Sequence, residues 1–271
     1  MANDPSLRFP PSTGLLLVGH GTRSVAGTQC VERLRGLVTG QLPGTPVAHC
    51  FLELQPPTIV EGWRELTRAG VERVVVSPLL LFAAGHAKSD IPSEVAAAGA
   101  SASVRLCQAE AFGCHPALVE LSCRRFEQVQ AERPATALRG VCLLLVGRGS
   151  LDEEATVEMH RFAQLRAEKN PGLSIEVAFI AMARPAVAEV LPQLARRGFE
   201  RIVVQPHLLF PGDLLDNLGM LVGKMSVDFP QTEWLVAPPL AADLGSGGPA
   251  DSLLLEVLLG RARAALATLL A

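Results

Sequence analysis

Unbroken apolar runs, rather than alternating ones, set the pattern of this chain. Residues 74–82 are dense in β-branched and aliphatic side chains around Ser77 and Pro78, as expected of a strand buried on both faces of a parallel sheet. Residues 14–18 and 47–52 read the same way. Between these runs the spacing turns helical. Val31, Leu34, Leu37 and Val38 mark one face of a helix over about 26–42. Pro57 is expected to open a second helix, at the first-turn position where a missing N–H costs nothing, and Gly70 to end it. A short helix over 91–98, a strand over 104–107 and a helix from about 116 to 131 close the unit. Strands alternating with helices imply βαβ crossovers and a parallel sheet covered on both faces.

The same text is then repeated. Leu143-Leu144-Leu145-Val146-Gly147-Arg148-Gly149-Ser150 matches residues 15–22 at a shift of 128 positions. In that register, without a gap, Phe51 meets Phe179, Pro57 meets Pro185, Gly70 meets Gly198, and Leu80-Leu81-Phe82 meets Leu208-Leu209-Phe210. The division expected is a disordered lead-in over 1–13, a first domain over 14–135 and a second over 136–271. Two such units are expected to pack about a pseudo-twofold axis with their loop ends facing a shared cleft.

Comparing the copies separates scaffold from chemistry. His20 meets Arg148, Glu53 meets Ala181 and, after a one-residue deletion, His86 meets Asp213. Each group in the first copy follows a different strand of one sheet, at the carboxyl edge where open α/β sheets bind ligands. By itself His86 would be an ordinary histidine on a strand-to-helix loop. Two imidazoles and a carboxylate that the second copy lacks form a constellation suited to a divalent first-row metal, and neutral imidazole also takes up protons near neutral pH.

Composition narrows the classes. The 271 residues are 49% hydrophobic and 19% charged, with net charge −3 and mean hydropathy +0.30. That is ample for buried cores, yet no apolar run is long enough to span a bilayer. The N-terminus lacks the continuous apolar segment of a signal peptide, so a cytoplasmic protein is expected. A slightly acidic chain with 4% aromatics and no tyrosine offers neither a basic face nor a stacking platform for nucleic acid. Six cysteines without a C-x-x-C pair read as buried small hydrophobes.

Three stretches carry a resemblance: Val18-Gly19-His20-Gly21-Thr22-Arg23, Phe51-Leu52-Glu53, and the long segment from Pro78-Leu79-Leu80-Leu81-Phe82 through Gly85-His86-Ala87-Lys88-Ser89-Asp90-Ile91-Pro92. Together they resemble the CbiX/SirB family of sirohydrochlorin chelatases. Pro206-His207-Leu208-Leu209-Phe210 is similar to the second-half signature of its long, duplicated members. The resemblance implies a chelatase-like α/β fold of two tandem flavodoxin-like domains, each a four-stranded parallel sheet flanked by helices. It implies ATP-independent insertion of Co²⁺ or Fe²⁺, as metal substrate, into sirohydrochlorin, with no bound organic cofactor. His20 and His86 match the family's metal-handling histidines and Glu53 the associated carboxylate. The substrate's many carboxylates make Arg23 and Lys88 candidate clamps, and His207 a candidate substrate contact. His49 and His115 read as structural, and His160 as surface. No histidine- or cysteine-rich tail is present, so neither metal storage nor a cluster is expected. Because both cleft walls lie in one chain, a monomer is expected. Two rivals stand beside this reading. A histidine phosphatase would need an arginine immediately before the histidine, where Gly19 stands. A non-catalytic tetrapyrrole or metal carrier could use the same fold.

Overall fold

The computed structural model describes residues 9–99, 103–131, 133 and 138–271, and His86 without its side chain. In chain order the first repeat runs β1 (Thr13–Gly19), α1 (Val25–Gln41), β2 (Val47–Phe51), α2 (Ile59–Arg68), β3 (Arg73–Pro78), a π-type turn (His86–Asp90), α3 (Ile91–Gly99), β4 (Arg105–Gln108) and α4 (Pro116–Gln130). The second runs β5 (Val141–Gly147), α5 (Glu153–Lys169), β6 (Ser174–Phe179), α6 (Val187–Arg196), β7 (Arg201–His207), α7 (Asp213–Asp228), β8 (Glu233–Val236) and α8 (Pro249–Leu270). No helix among the described residues is long and apolar enough to cross a membrane.

Each repeat builds one parallel four-stranded sheet, with orders β2-β1-β3-β4 and β6-β5-β7-β8. The central strands β1 and β5 are buried along their whole length, which is why they read as continuous apolar runs. In the first sheet Leu16 pairs with Ala48 on one side and Val76 on the other. The connections leaving β1 and β3 diverge to opposite sides, so the switch point of each sheet lies at the carboxyl ends of its two central strands.

Local chemistry fixes the helix ends. The Ser24 hydroxyl accepts from the Gly27 N–H and starts α1. Thr58 and Glu61 form a reciprocal capping box: the Thr58 N–H donates to Glu61 Oε2 at 2.7 Å, and the Glu61 N–H to Thr58 Oγ1 at 3.3 Å. Helix α2 therefore starts at Ile59, and Pro57 lies ahead of the cap rather than in the first turn. The strand expected over 74–82 ends at Pro78; residues beyond it form the loop to the π-type turn. Of the expected lead-in, residues 1–8 lie outside the description, while Phe9 is buried and Thr13 already belongs to β1.

The compact units are not the sequence halves. One comprises Met1–Gly113 with Asp243–Ala271, and the other Cys114–Ala242. Helix α4, expected to close the first unit, packs instead on α5 and β7, while α8 covers β3, β4 and α1. Polar side chains account for the difference. Gln205 Nε2 on β7 donates to the Ser122 hydroxyl and carbonyl at 2.8 and 3.0 Å. The buried Arg125 guanidinium donates to the Leu240 carbonyl at 2.6 and 3.1 Å, and Arg201 donates to Gln130 Oε1 at 2.8 Å. The position matching Gln205 in the first sheet is Ser77, and α8 buries only apolar side chains, among them Leu254, Val257, Leu258 and Leu266.

Each large aliphatic side chain buried by α8 contributes about 1.5–3 kcal/mol, so together they approach the roughly 5–15 kcal/mol net stability of a whole domain. A chain ending at Ala242 is therefore expected to aggregate or to lose its cooperative thermal transition, as followed by size-exclusion chromatography and circular dichroism. A monomeric truncation melting within a few degrees of the full chain would contradict this role for α8.

Candidate active site

At the carboxyl edge of the first sheet the β1–β2 ladder continues past both strands. The Leu52 N–H donates to the Gly19 carbonyl at 2.9 Å, and the Glu53 N–H to the His20 carbonyl at 3.0 Å. The chain then turns at Gly21, whose φ of +108° suits glycine alone. A β-carbon there would drive into the Glu53 carbonyl oxygen. The two loops are therefore backbone to backbone, and this brings His20 Nδ1 to 3.1 Å from Glu53 Oε1. The His20 side chain is 23% exposed and that of Glu53 49%. With the carboxylate accepting from Nδ1–H, the lone pair of the neutral ring lies on Nε2, the arrangement in which a carboxylate orients a histidine for metal or proton.

The third candidate arrives from β3. The Leu79 N–H donates to the Val18 carbonyl at 2.8 Å, so the loop leaves the sheet beside His20 before reaching the π-type turn that begins at His86. Such turns recur at functional sites. This turn is held by Ser89 Oγ, which donates to the Gly85 carbonyl at 2.7 Å, and by Gln108 Nε2, which donates to the Ala87 carbonyl at 2.7 Å. The side chain of His86 lies outside the described residues. Arg23, in the β1–α1 loop, and Lys88, in the turn, are both exposed. A further tie joins Thr28 Oγ1 on α1 to Gln55 Oε1 at 2.8 Å, bracing the loop that carries Glu53. Nothing in the residue pattern singled out that pair. Among the described residues no three His, Cys, Asp or Glu side chains cluster as a ready-made metal site.

The second sheet repeats the frame without the pair. The Ile180 N–H donates to the Gly147 carbonyl at 3.0 Å and the Ala181 N–H to the Arg148 carbonyl at 2.9 Å. Gly149, at φ +88°, presses on the Ala181 carbonyl as Gly21 does on that of Glu53. Arg148 is exposed, and Asp213 opens α7. His207 departs from expectation. It is 3% exposed at the end of β7, in the position that buried Leu79 holds in the first copy. Its ring centroid lies 4.1 Å from that of Phe162, and burial pulls its pKa down to about 3. A neutral imidazole this deep belongs to the core, and we leave it out of the substrate contacts. His49 is buried in β2, His115 caps α4 by accepting from the Ala117 N–H, and His160 is exposed. All six cysteines are unpaired thiols, and burial raises the pKa of each, that of Cys142 to about 12.

The architecture has close counterparts among solved structures. SirB from Bacillus subtilis with Fe³⁺ aligns with a TM-score of 0.79 at 26% identity, over 94% of this chain and 96% of that one. The sirohydrochlorin chelatase SirB from Bacillus subtilis subspecies spizizenii in complex with cobalt aligns at 0.75 and 25% identity, over 93% and 94%. The class is thus a chelatase fold of two tandem α/β domains. The profile of the CbiX family matches residues 14–129 and again 142–245, and the chain belongs to the CbiX family. A sirohydrochlorin ferrochelatase of Priestia megaterium is 31% identical over 223 residues, 80% of each chain. A sirohydrochlorin cobaltochelatase of the same organism is 26% identical over 224 residues, 82% of this chain and 72% of that one.

The burial of His207 has a measurable consequence. Its pKa is about 3 when folded and about 6.5 when unfolded, so between these values only the unfolded chain binds the proton. Stability from this group is complete above about pH 6.5 and falls as the pH drops towards 3. Urea unfolding at pH 7 and pH 5 is expected to show a smaller acid loss in His207→Leu than in the unsubstituted protein. Equal losses would contradict the buried neutral state.

Proposed function

We propose that this chain is a lyase that inserts Co²⁺ or Fe²⁺ into sirohydrochlorin without ATP, on the edge of the first sheet. The observation that carries the reading is the His20–Glu53 pair at 3.1 Å on a backbone frame that the second copy keeps without the pair. The relatives, named as sirohydrochlorin ferrochelatase and cobaltochelatase over four-fifths of this chain, support it over a carrier on the same fold.

Insertion exchanges two pyrrole N–H protons for one divalent ion, so the site must both present a metal and accept protons. His20, ligating or accepting through Nε2 while Glu53 holds Nδ1–H, serves either task. His86 is its partner, delivered by the β3 loop to the same edge. Glu53 also adds negative charge, which favours the metal and the imidazolium formed on proton uptake. Arg23 and Lys88 bind the peripheral carboxylates of the macrocycle. Imidazole and carboxylate accept cobalt and iron alike, so the donor set admits both metals. We further propose that each chain holds one such site and works as a monomer. Its free thiols suit the reducing cytoplasm.

Anaerobic incubation with sirohydrochlorin and each metal in turn, followed by absorbance, tests the activity. His20→Ala and His86→Ala are each expected to reduce the insertion rate by about a hundredfold or more. Glu53→Gln is expected to lower turnover more than substrate affinity. Arg148→Ala and Asp213→Ala should leave substantial turnover. With chemistry rate-limiting, the rate should fall as the pH drops through the histidine range. Loss confined to Arg148→Ala and Asp213→Ala, with both histidines dispensable, would refute this placement.

A further inference from the structure

The residue after Glu53 is held in a conformation that leucine disfavours. Leu54 has φ +71°, and the residue is 54% exposed. Leucine disfavours the left-handed region, a conformation that glycine, asparagine and aspartate visit far more readily. Burial does not offset that preference, because the residue is exposed. Met182, the matching residue of the second copy, repeats both features, with φ +56° and 56% exposure. The copies have exchanged His20 for Arg148 and Glu53 for Ala181, yet both keep a long apolar side chain on this strained backbone. Strain without a packing reward clusters where a ligand is handled.

The neighbourhood identifies the ligand. A β-carbon on Gly21, the residue after His20, would lie 3.5 Å from Leu54 Cβ. Leu54 Cβ therefore lies against the turn at Gly21, next in the chain to both members of the His20–Glu53 pair, on the edge that also carries exposed Arg23 and Lys88. Cations at a rim and an exposed aliphatic group beside metal-handling side chains suit a flat ligand with apolar faces and an anionic periphery. We infer that Leu54 is a substrate-contact residue: it packs against the face of the tetrapyrrole and sets the ring nitrogens over the pair. The inference rests on the chelatase reading above and names a specificity determinant for it.

The experiment compares the unsubstituted protein with Leu54→Asn, which suits the left-handed backbone but lacks the apolar group, and Leu54→Met, which keeps that group. Three quantities are read: the Kd for metal-free sirohydrochlorin by absorbance titration, the KM values for sirohydrochlorin and Co²⁺, and Tm. Leu54→Asn is expected to raise Kd and KM for sirohydrochlorin about tenfold, the scale of losing one aliphatic contact. Its KM for Co²⁺ should stay unchanged, and its Tm should hold or rise by a few degrees. Leu54→Met should remain within about threefold throughout. Unchanged Kd in Leu54→Asn would overturn the inference. So would a fall in its Tm, or an equal loss in Leu54→Met, because the residue would then serve only the fold. The two levels of the account fail separately: an unsubstituted protein that binds sirohydrochlorin without inserting either metal defeats the chelatase reading, while the Kd comparison still decides the role of Leu54. One that binds no sirohydrochlorin overturns both.

Discussion

The contact on which the rest of the site depends is the passage of the Gly21 backbone against the carbonyl of Glu53. Two parallel strands end side by side, and their ladder runs on for two hydrogen bonds beyond them. Only a residue without a side chain lets the β1–α1 loop stay in that register. Once it does, His20 and Glu53 have no need to search for each other, and the fold itself orients the imidazole, as the proposed metal insertion requires. The second copy keeps the same contact through Gly149 and Ala181. The frame is therefore a property of the fold, and the pair set upon it belongs to the first copy alone. Placing reactive groups on rigid strand ends rather than on long loops holds them to the tolerance that proton and metal transfer require.

A second constraint decides which helix covers which sheet. Helix α4 carries Ser122, Arg125 and Gln130 towards partners found in the second unit, while α8 presents aliphatic side chains to the first. Covering the other sheet would leave Arg125 buried away from the Leu240 carbonyl, and stranding a buried charge costs about 3–5 kcal/mol. The buried Arg166, over the Phe126 ring at 5.3 Å, strengthens the α4–α5 seam. The sequence repeats and the compact units thus differ by an exchange of their last helices.

Much of this was legible along the chain, for identifiable reasons. Strands β1, β3, β5 and β7 are buried on both faces, so periodicity alone exposes them, and the repeat reads each one twice. His20 and Glu53 could be expected to meet because they follow strands that a βαβ unit makes neighbours. The start of α2 was also written in the residues, as Thr58 with Glu61 three positions on, but Pro57 was the louder signal. The exchange of α4 was not legible, since its deciding contact joins Arg125 to a carbonyl 115 residues away. Neither was the depth of His207, because a strand end does not reveal that its ring will lie against Phe162 of α5. The left-handed turn at Leu54 was not legible either, since no local preference of leucine announces it.

The most direct test of the claim that the first unit's frame holds the chemistry compares Gly21→Ala with Gly149→Ala. Both substitutions place a methyl group against a carbonyl oxygen at positive φ, so both are expected to destabilise the fold, by about 2 kcal/mol or more in urea unfolding. The measurement is the anaerobic initial rate of metal insertion into sirohydrochlorin by the folded fraction of each variant. The account predicts a loss approaching that of His20→Ala for Gly21→Ala, because His20 and Glu53 are pushed apart, and substantial turnover for Gly149→Ala. Equal losses in the two variants, or a loss confined to Gly149→Ala, would contradict it.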